Sequence, residues 1–147
     1  MKSRLMSSAA ADRQRSYVVV LDSGDEFTEC MQRFVEEHGL SASQLSAIGA
    51  FSSVVLGYFE WERKDYRRIR IDEQVEVVAL LGDVALKDGR PHLHPHVTVA
   101  KADGSAWGGH LLEAVIRPTL EIVITESPQQ LARRYDPETG LALLDAR

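Results

Sequence analysis

From Ser41 onward the sequence reads as one β-strand after another, and this run constrains the fold more than any other feature. The segments QLSAIGAF, SSVVLGYFEW, YRRIRI, VEVVALLGDVAL, HLHPHVTVAK, AWGGHLLEAVIR and TLEIVIT are apolar or β-branched stretches punctuated by small and turn residues. Pro118, after Arg117, is expected to divide the last two. Ahead of them YVVVL, Tyr17 to Leu21, reads as a buried strand. One helix is expected within Asp22 to Leu40. Phe27, Cys30, Met31, Phe34 and Val35 fall on one face at helical spacing. Asp25 and Glu26 suit its positive end, and Gly39 stops it with Leu40 packing back. The tail is expected to hold a helical turn at Pro128 to Arg134, then a turn at Asp136 to Gly140. With 147 residues, no repeat and no dividing linker, the expectation is a single α+β domain over residues 16–147. It is mostly antiparallel β-sheet with one main helix, and residues 1–15 are expected to be a flexible leader.

The stretch HLHPHVTVAKADGSAWGGH gathers four histidines around one turn. Side chains alternate along a strand, so His92, His94, His96 and Thr98 share one face and Leu93, Val97 and Val99 the core face. If Ala102, Asp103 and Gly104 form a three-residue loop with Gly104 left-handed, His96 lies opposite His110. Thr98 then faces Gly108, Ala100 faces Ala106, and Val99 meets Trp107 on the core side. A two-residue Asp103-Gly104 loop would send His110 to the opposite face unless Gly108-Gly109 carries a bulge.

Opposed residues have Cβ atoms about 5 Å apart, so His94, His96 and His110 can converge on one ion. Imidazole ligands suit zinc or another divalent transition metal. Three protein ligands leave one position open to water or a small ligand. The alternative is a histidine cluster hydrogen-bonded to water or backbone. His92 lies farthest from His110. A hydrolase would also need a general base, and none is evident. Glu113 is on the wrong parity, and Glu60, Glu62 and Asp83 cannot be placed. His38 reads as a helix-end residue.

Formal net charge is −5, whereas nucleic-acid binders carry a basic footprint. Only RKDYRRIR, Arg63 to Arg70, is locally basic, and acids surround it. It reads as a charged edge segment that resists unwanted strand pairing. No apolar run approaches a membrane span, and the first residues lack the apolar core of a secretory signal. Cys30 is the single cysteine and reads as a buried small hydrophobe. A reducing, cytoplasmic setting is expected.

HPHVTVAKADGSAWGGHLLEA resembles the signature of the PPC domain, the plants-and-prokaryotes-conserved domain. LSAIGAFSSVVLGYF and RRYDPETGLALL resemble further family segments, so the similarity runs from about Tyr17 to Leu144. The resemblance implies a mostly antiparallel fold assembled as a homotrimer, with a metal at His94, His96 and His110. Bacterial and archaeal members carry a DNA-binding label that comes from plant relatives, where an AT-hook accompanies the domain. Here DGRPHLHP has Asp88 where the hook needs arginine, so it reads as a turn. The resulting expectation is a trimeric DNA-binding or regulatory protein without an AT-hook, with a three-histidine divalent metal (zinc) site and without an evident enzymatic role; DNA is a partner that the net charge disfavours. The alternative is a metal-dependent enzyme or small-ligand sensor that uses the open metal position.

Overall fold

In the computed structural model, which describes residues 1–7 and 14–146, the helical face read from the sequence is the one that is buried. The chain runs β1 (Lys2–Ser7), β2 (Arg15–Asp22), α1 (Phe27–Glu37), β3 (Ala42–Glu60), β4 (Asp65–Ile71) and β5 (Val75–Lys87). It continues through β6 (Arg90–Ala100), β7 (Ala106–Glu126), β8 (Ala132–Asp136) and β9 (Leu141–Asp145). Phe27, Met31, Phe34 and Val35 of α1 are 0% exposed and Cys30 is 6% exposed. The Glu26 carboxylate caps α1 by accepting from the Glu29 N–H, 2.7 Å away. Its other oxygen accepts from the Ala114 N–H at 3.0 Å and so ties the helix start to β7. At the far end Gly39 has φ +59, and the Leu40 N–H reaches back to the Val35 carbonyl at 2.9 Å. This closes a Schellman motif and buries Leu40. No helix among the described residues is long and apolar enough to cross a membrane.

The pairings are antiparallel except for one β5–β8 bridge, Leu86 with Ala132. β3 pairs β5 and β7, β5 pairs β6, and β6 pairs β7, so these four strands close a ring. β1 and β2 extend the sheet from β7, and β4 lies against β3 alone. The fold is thus one domain with a single helix on a mostly antiparallel sheet. Phe51, Leu56, Leu80, Ile116, Leu120 and Ile122 join the helix face in one core. Burying each such side chain stabilises the fold by roughly 1.5–3 kcal/mol.

Four local expectations are corrected. Residues 2–7 of the expected leader form β1, because the outer ladder groups of β2 are open to a partner; residues 8–13 lie outside the described residues. The two segments on either side of Ser52 are one strand, β3. β7 likewise continues through Pro118. The β3 register slips between Gly49 and Phe51, opposite Leu120 and Ile116, so Pro118 falls where the ladder is irregular and its missing N–H is not needed. The tail forms no helical turn at 128–134. Instead β8 finds a partner in β9 across a turn closed by the Gly140 N–H on the Asp136 carbonyl, 2.8 Å.

Asp88 and Gly89 have φ +52 and +77, the two-residue hairpin turn that joins β5 to β6. Gly49 has φ +152 and lies so close to β7 that a Cβ there would stand 2.8 Å from Leu120 Cα.

Candidate metal centre

The β6–β7 turn sets the register of the histidines. Gly104 has φ +82, and its N–H donates to the Lys101 carbonyl at 2.9 Å. The Lys101 N–H donates to the Ser105 carbonyl at 2.9 Å. Asp103 holds the turn by accepting from the Ser105 N–H at 2.9 Å and its hydroxyl at 2.6 Å. The resulting pairs are Ala100 with Ala106, Val99 with Trp107, Thr98 with Gly108 and His96 with His110, as the three-residue loop requires. On the other side of β6, β5 places Leu81 beside His96 and Asp83 beside His94. One sheet face thereby carries His94, His96, His110 and Asp83.

The three rings form a nearly equilateral group. Centroids are 5.1 Å apart for His94–His96 and His94–His110, and 5.3 Å for His96–His110. One ring nitrogen of each lies within 4.8 Å of the other two. His92 pairs with Ala85 and stands outside this group. His110 stacks on Tyr66 at 4.8 Å, and its Nδ1 is buried with no hydrogen-bond partner. Burial, then the charges of His94 and His96, lower the His110 pKa to about 4. Burial and then His94 push His96 down as well. Neutral imidazoles with free lone pairs are what a divalent ion needs, so the donor set fits such an ion.

Two residues complete the surroundings: Asp83, an acid the sequence could not place, and Arg133, which it did not bring to the site. His94 Nδ1 is 3.3 Å from Asp83 Oδ2 and 3.1 Å from Arg133 Nη2. Arg133 also forms an ion pair with the other Asp83 oxygen. Burial would raise the Asp83 pKa, but hydrogen bonds from His94 and Arg133 outweigh it and hold the carboxyl below its usual range. A proton on His94 Nδ1 donated to Asp83 leaves Nε2 with the lone pair. This is the carboxylate–histidine arrangement that orients metal ligands. The signal for Asp83 was an acid set deep in the apolar run of β5, beyond Glu76 at its start. Arg133 had no local signal, because it reaches the site from β8.

The other singled-out residues go elsewhere. Glu113 forms an ion pair with Arg68, and Glu60 pairs with Arg63 at 3.2 Å and Arg67 at 3.7 Å. Arg70 binds Asp72 at 2.9 Å, so β4 is a charged edge strand as read. His38 stacks on Phe34 at the end of α1. Trp107 is corrected: it is 44% exposed and lies under the Lys101 ammonium at 5.5 Å, because the hairpin tip extends past the core.

A stability prediction follows from His110. Its folded pKa lies below its unfolded value, so the unfolded chain takes up this proton first as pH falls. Stability of the metal-free protein therefore declines between about pH 6.5 and 4; the full shift is worth about 3.4 kcal/mol, and solvent screening of the half-buried ring reduces this to roughly half. Urea midpoints across that window check it, and His110→Ala should flatten the slope.

Comparison with known proteins places the chain among relatives. The family model of the Plants and Prokaryotes Conserved (PCC) domain matches residues 8–128. A protein of Bacteroides thetaiotaomicron described as a "putative dna binding protein" superposes with a TM-score of 0.87 at 27% identity, covering 97% of this chain and 96% of that one. A protein of Archaeoglobus fulgidus described as metal-containing superposes with a TM-score of 0.80 at 36% identity, covering 87% of this chain and 91% of that one. A Synechococcus protein named bifunctional protein GlmU is 35% identical over 129 residues, 86% of this chain. The chain spans only 20% of that relative's length.

Proposed function

The chain belongs to the Plants and Prokaryotes Conserved domain family, and on that footing we propose that it is a homotrimeric regulatory protein holding one zinc-class divalent ion on His94, His96 and His110. The observation that carries the reading is the convergence of three imidazoles on one face, with His110 Nδ1 buried and unpartnered. The Archaeoglobus relative described as metal-containing supports it. When bound, the ion would supply Lewis acidity and an open coordination position. The chain's own part is to fix the rings: Asp83 accepts from His94 and is itself held by Arg133, and Tyr66 backs His110. A cytoplasmic setting accords with the single free, buried Cys30. Elemental analysis of protein purified without added metal tests the reading. One ion per chain is expected; no metal, and none taken up on dialysis against zinc, ends it.

The homotrimer is supported by an uncovered apolar patch. Ser46 of β3 lies opposite both Leu81 and Val123, and Ile48 follows on the same face. Ile48 and Leu81 are 61% exposed and Val123 is 46% exposed. A grouped apolar patch on a sheet face is the kind of surface that subunits bury. Leu81→Glu should convert the assembly to monomers, read by light scattering on a sizing column. An unchanged mass would remove this face from the interface.

The proposal does not extend to DNA binding. The arginines of β4 are engaged with Glu60, Asp72 and Glu113, and the net charge is −5.

A further inference from the structure

A cavity of about 250 Å³ opens beside the candidate centre, against His94 and His110. Its lining includes Arg133, Lys87 and Tyr66, an apolar wall from Leu141 to Leu143, and no acidic side chain. We propose that this cavity binds a small carboxylate with a short apolar part, held between the ion on the histidines and the cations Arg133 and Lys87. The inference rests on the metal reading above.

The charges point to an anion. The Arg133 side chain is only 6% exposed, yet the fold satisfies its guanidinium incompletely. Nη1 donates to the Ala142 carbonyl at 3.1 Å and Nη2 goes to Asp83, but Nε is buried without a partner. Lys87 adds a second cation on the same lining. Asp83 offsets one positive charge, and a divalent ion would add two more. A partly desolvated site with this excess favours a charge-assisted partner.

Shape narrows the class. The volume is below the usual range for drug-sized ligands, roughly 300–1,000 Å³, so the occupant has few heavy atoms. Leu141 and Leu143 would leave a fully polar ion such as phosphate facing hydrocarbon on one side, whereas a short acyl chain would cover them. Tyr66, on the same lining, carries a phenolic hydroxyl that can donate a hydrogen bond.

The test uses the full chain. Zinc uptake is measured first, and then butyrate and, separately, inorganic phosphate are titrated into the zinc-loaded protein. Calorimetry and the imidazole NMR signals of His94, His96 and His110 follow binding. Saturable butyrate binding that is tighter than phosphate binding is expected. Arg133→Gln at constant zinc content should weaken it at least ~10-fold. Leu143→Glu, at a position 42% exposed on β9, should weaken it too by placing a negative charge on the wall. Absence of saturable butyrate binding to zinc-loaded protein overturns the inference, as does phosphate binding the tighter, or affinity unchanged in both variants. Failure to take up zinc at all overturns the metal reading and this inference with it.

Discussion

Replacing His96 or His110 with alanine lowers zinc affinity at least ~100-fold, more than the loss of a residue that only orients a ligand. Each supplies one of three nitrogens that lie within 4.8 Å of one another, and among the described residues no fourth histidine joins that group. His92→Ala is the internal control. His92 shares the face but not the cluster, so its loss should change affinity by no more than ~3-fold. Asp83→Asn falls between, at about 10–100-fold, since it leaves the ligands in place and weakens the hold on His94. Competition with a chromophoric chelator measures all four. Equal losses at His92, His96 and His110 would show that the trio is wrongly chosen.

Gly49→Ala destabilises the protein by at least ~3 kcal/mol. At φ +152 an L side chain is strained. The added Cβ would also press on the Thr119 carbonyl oxygen and lie 2.8 Å from Leu120 Cα. Both obstacles are backbone of β7, so relief requires opening the β3–β7 ladder rather than turning a side chain. Gly104→Ala provides the contrast. It also has positive φ, but its Cβ would meet nothing within 4 Å, so its cost should be about 1 kcal/mol. Denaturant midpoints of the two variants decide the matter, and a Gly49→Ala cost below about 1 kcal/mol would mean that the strands do not approach so closely.

The parts of this fold that were legible in the sequence are the ones governed by local rules. Parity along β6, with a three-residue loop at Ala102 to Gly104, puts His96 opposite His110 as the structure has it, although the sequence left a two-residue loop open. Helical spacing identified the buried face of α1, and Gly39 its end. What escaped was nonlocal. β3 and β7 looked interrupted because small residues and Pro118 mimic strand ends, and only their pairing shows that the chain continues. The Pro128 to Arg134 segment became a strand because β9 returns to pair with it. The same event delivers Arg133 to His94 from 39 positions away, which no periodicity in either segment could announce. Trp107 had the right register but the wrong surroundings, since strand pairing says nothing about where the core stops.

All three imidazoles of the centre belong to one hairpin, so a bound ion would close only a short loop and would cross-link no distant regions. The entropy gained from such a closure is small. A partly folded chain that has formed only this hairpin could already capture the ion, and affinity for non-native states reduces the stabilisation that loading gives. Stripping the metal with a chelator should therefore leave the closed ring of strands standing. Asp83 comes from the neighbouring β5–β6 hairpin, so discrimination among metals would then depend on the late arrival, Arg133 from β8, which reaches His94 and Asp83 only in the finished fold.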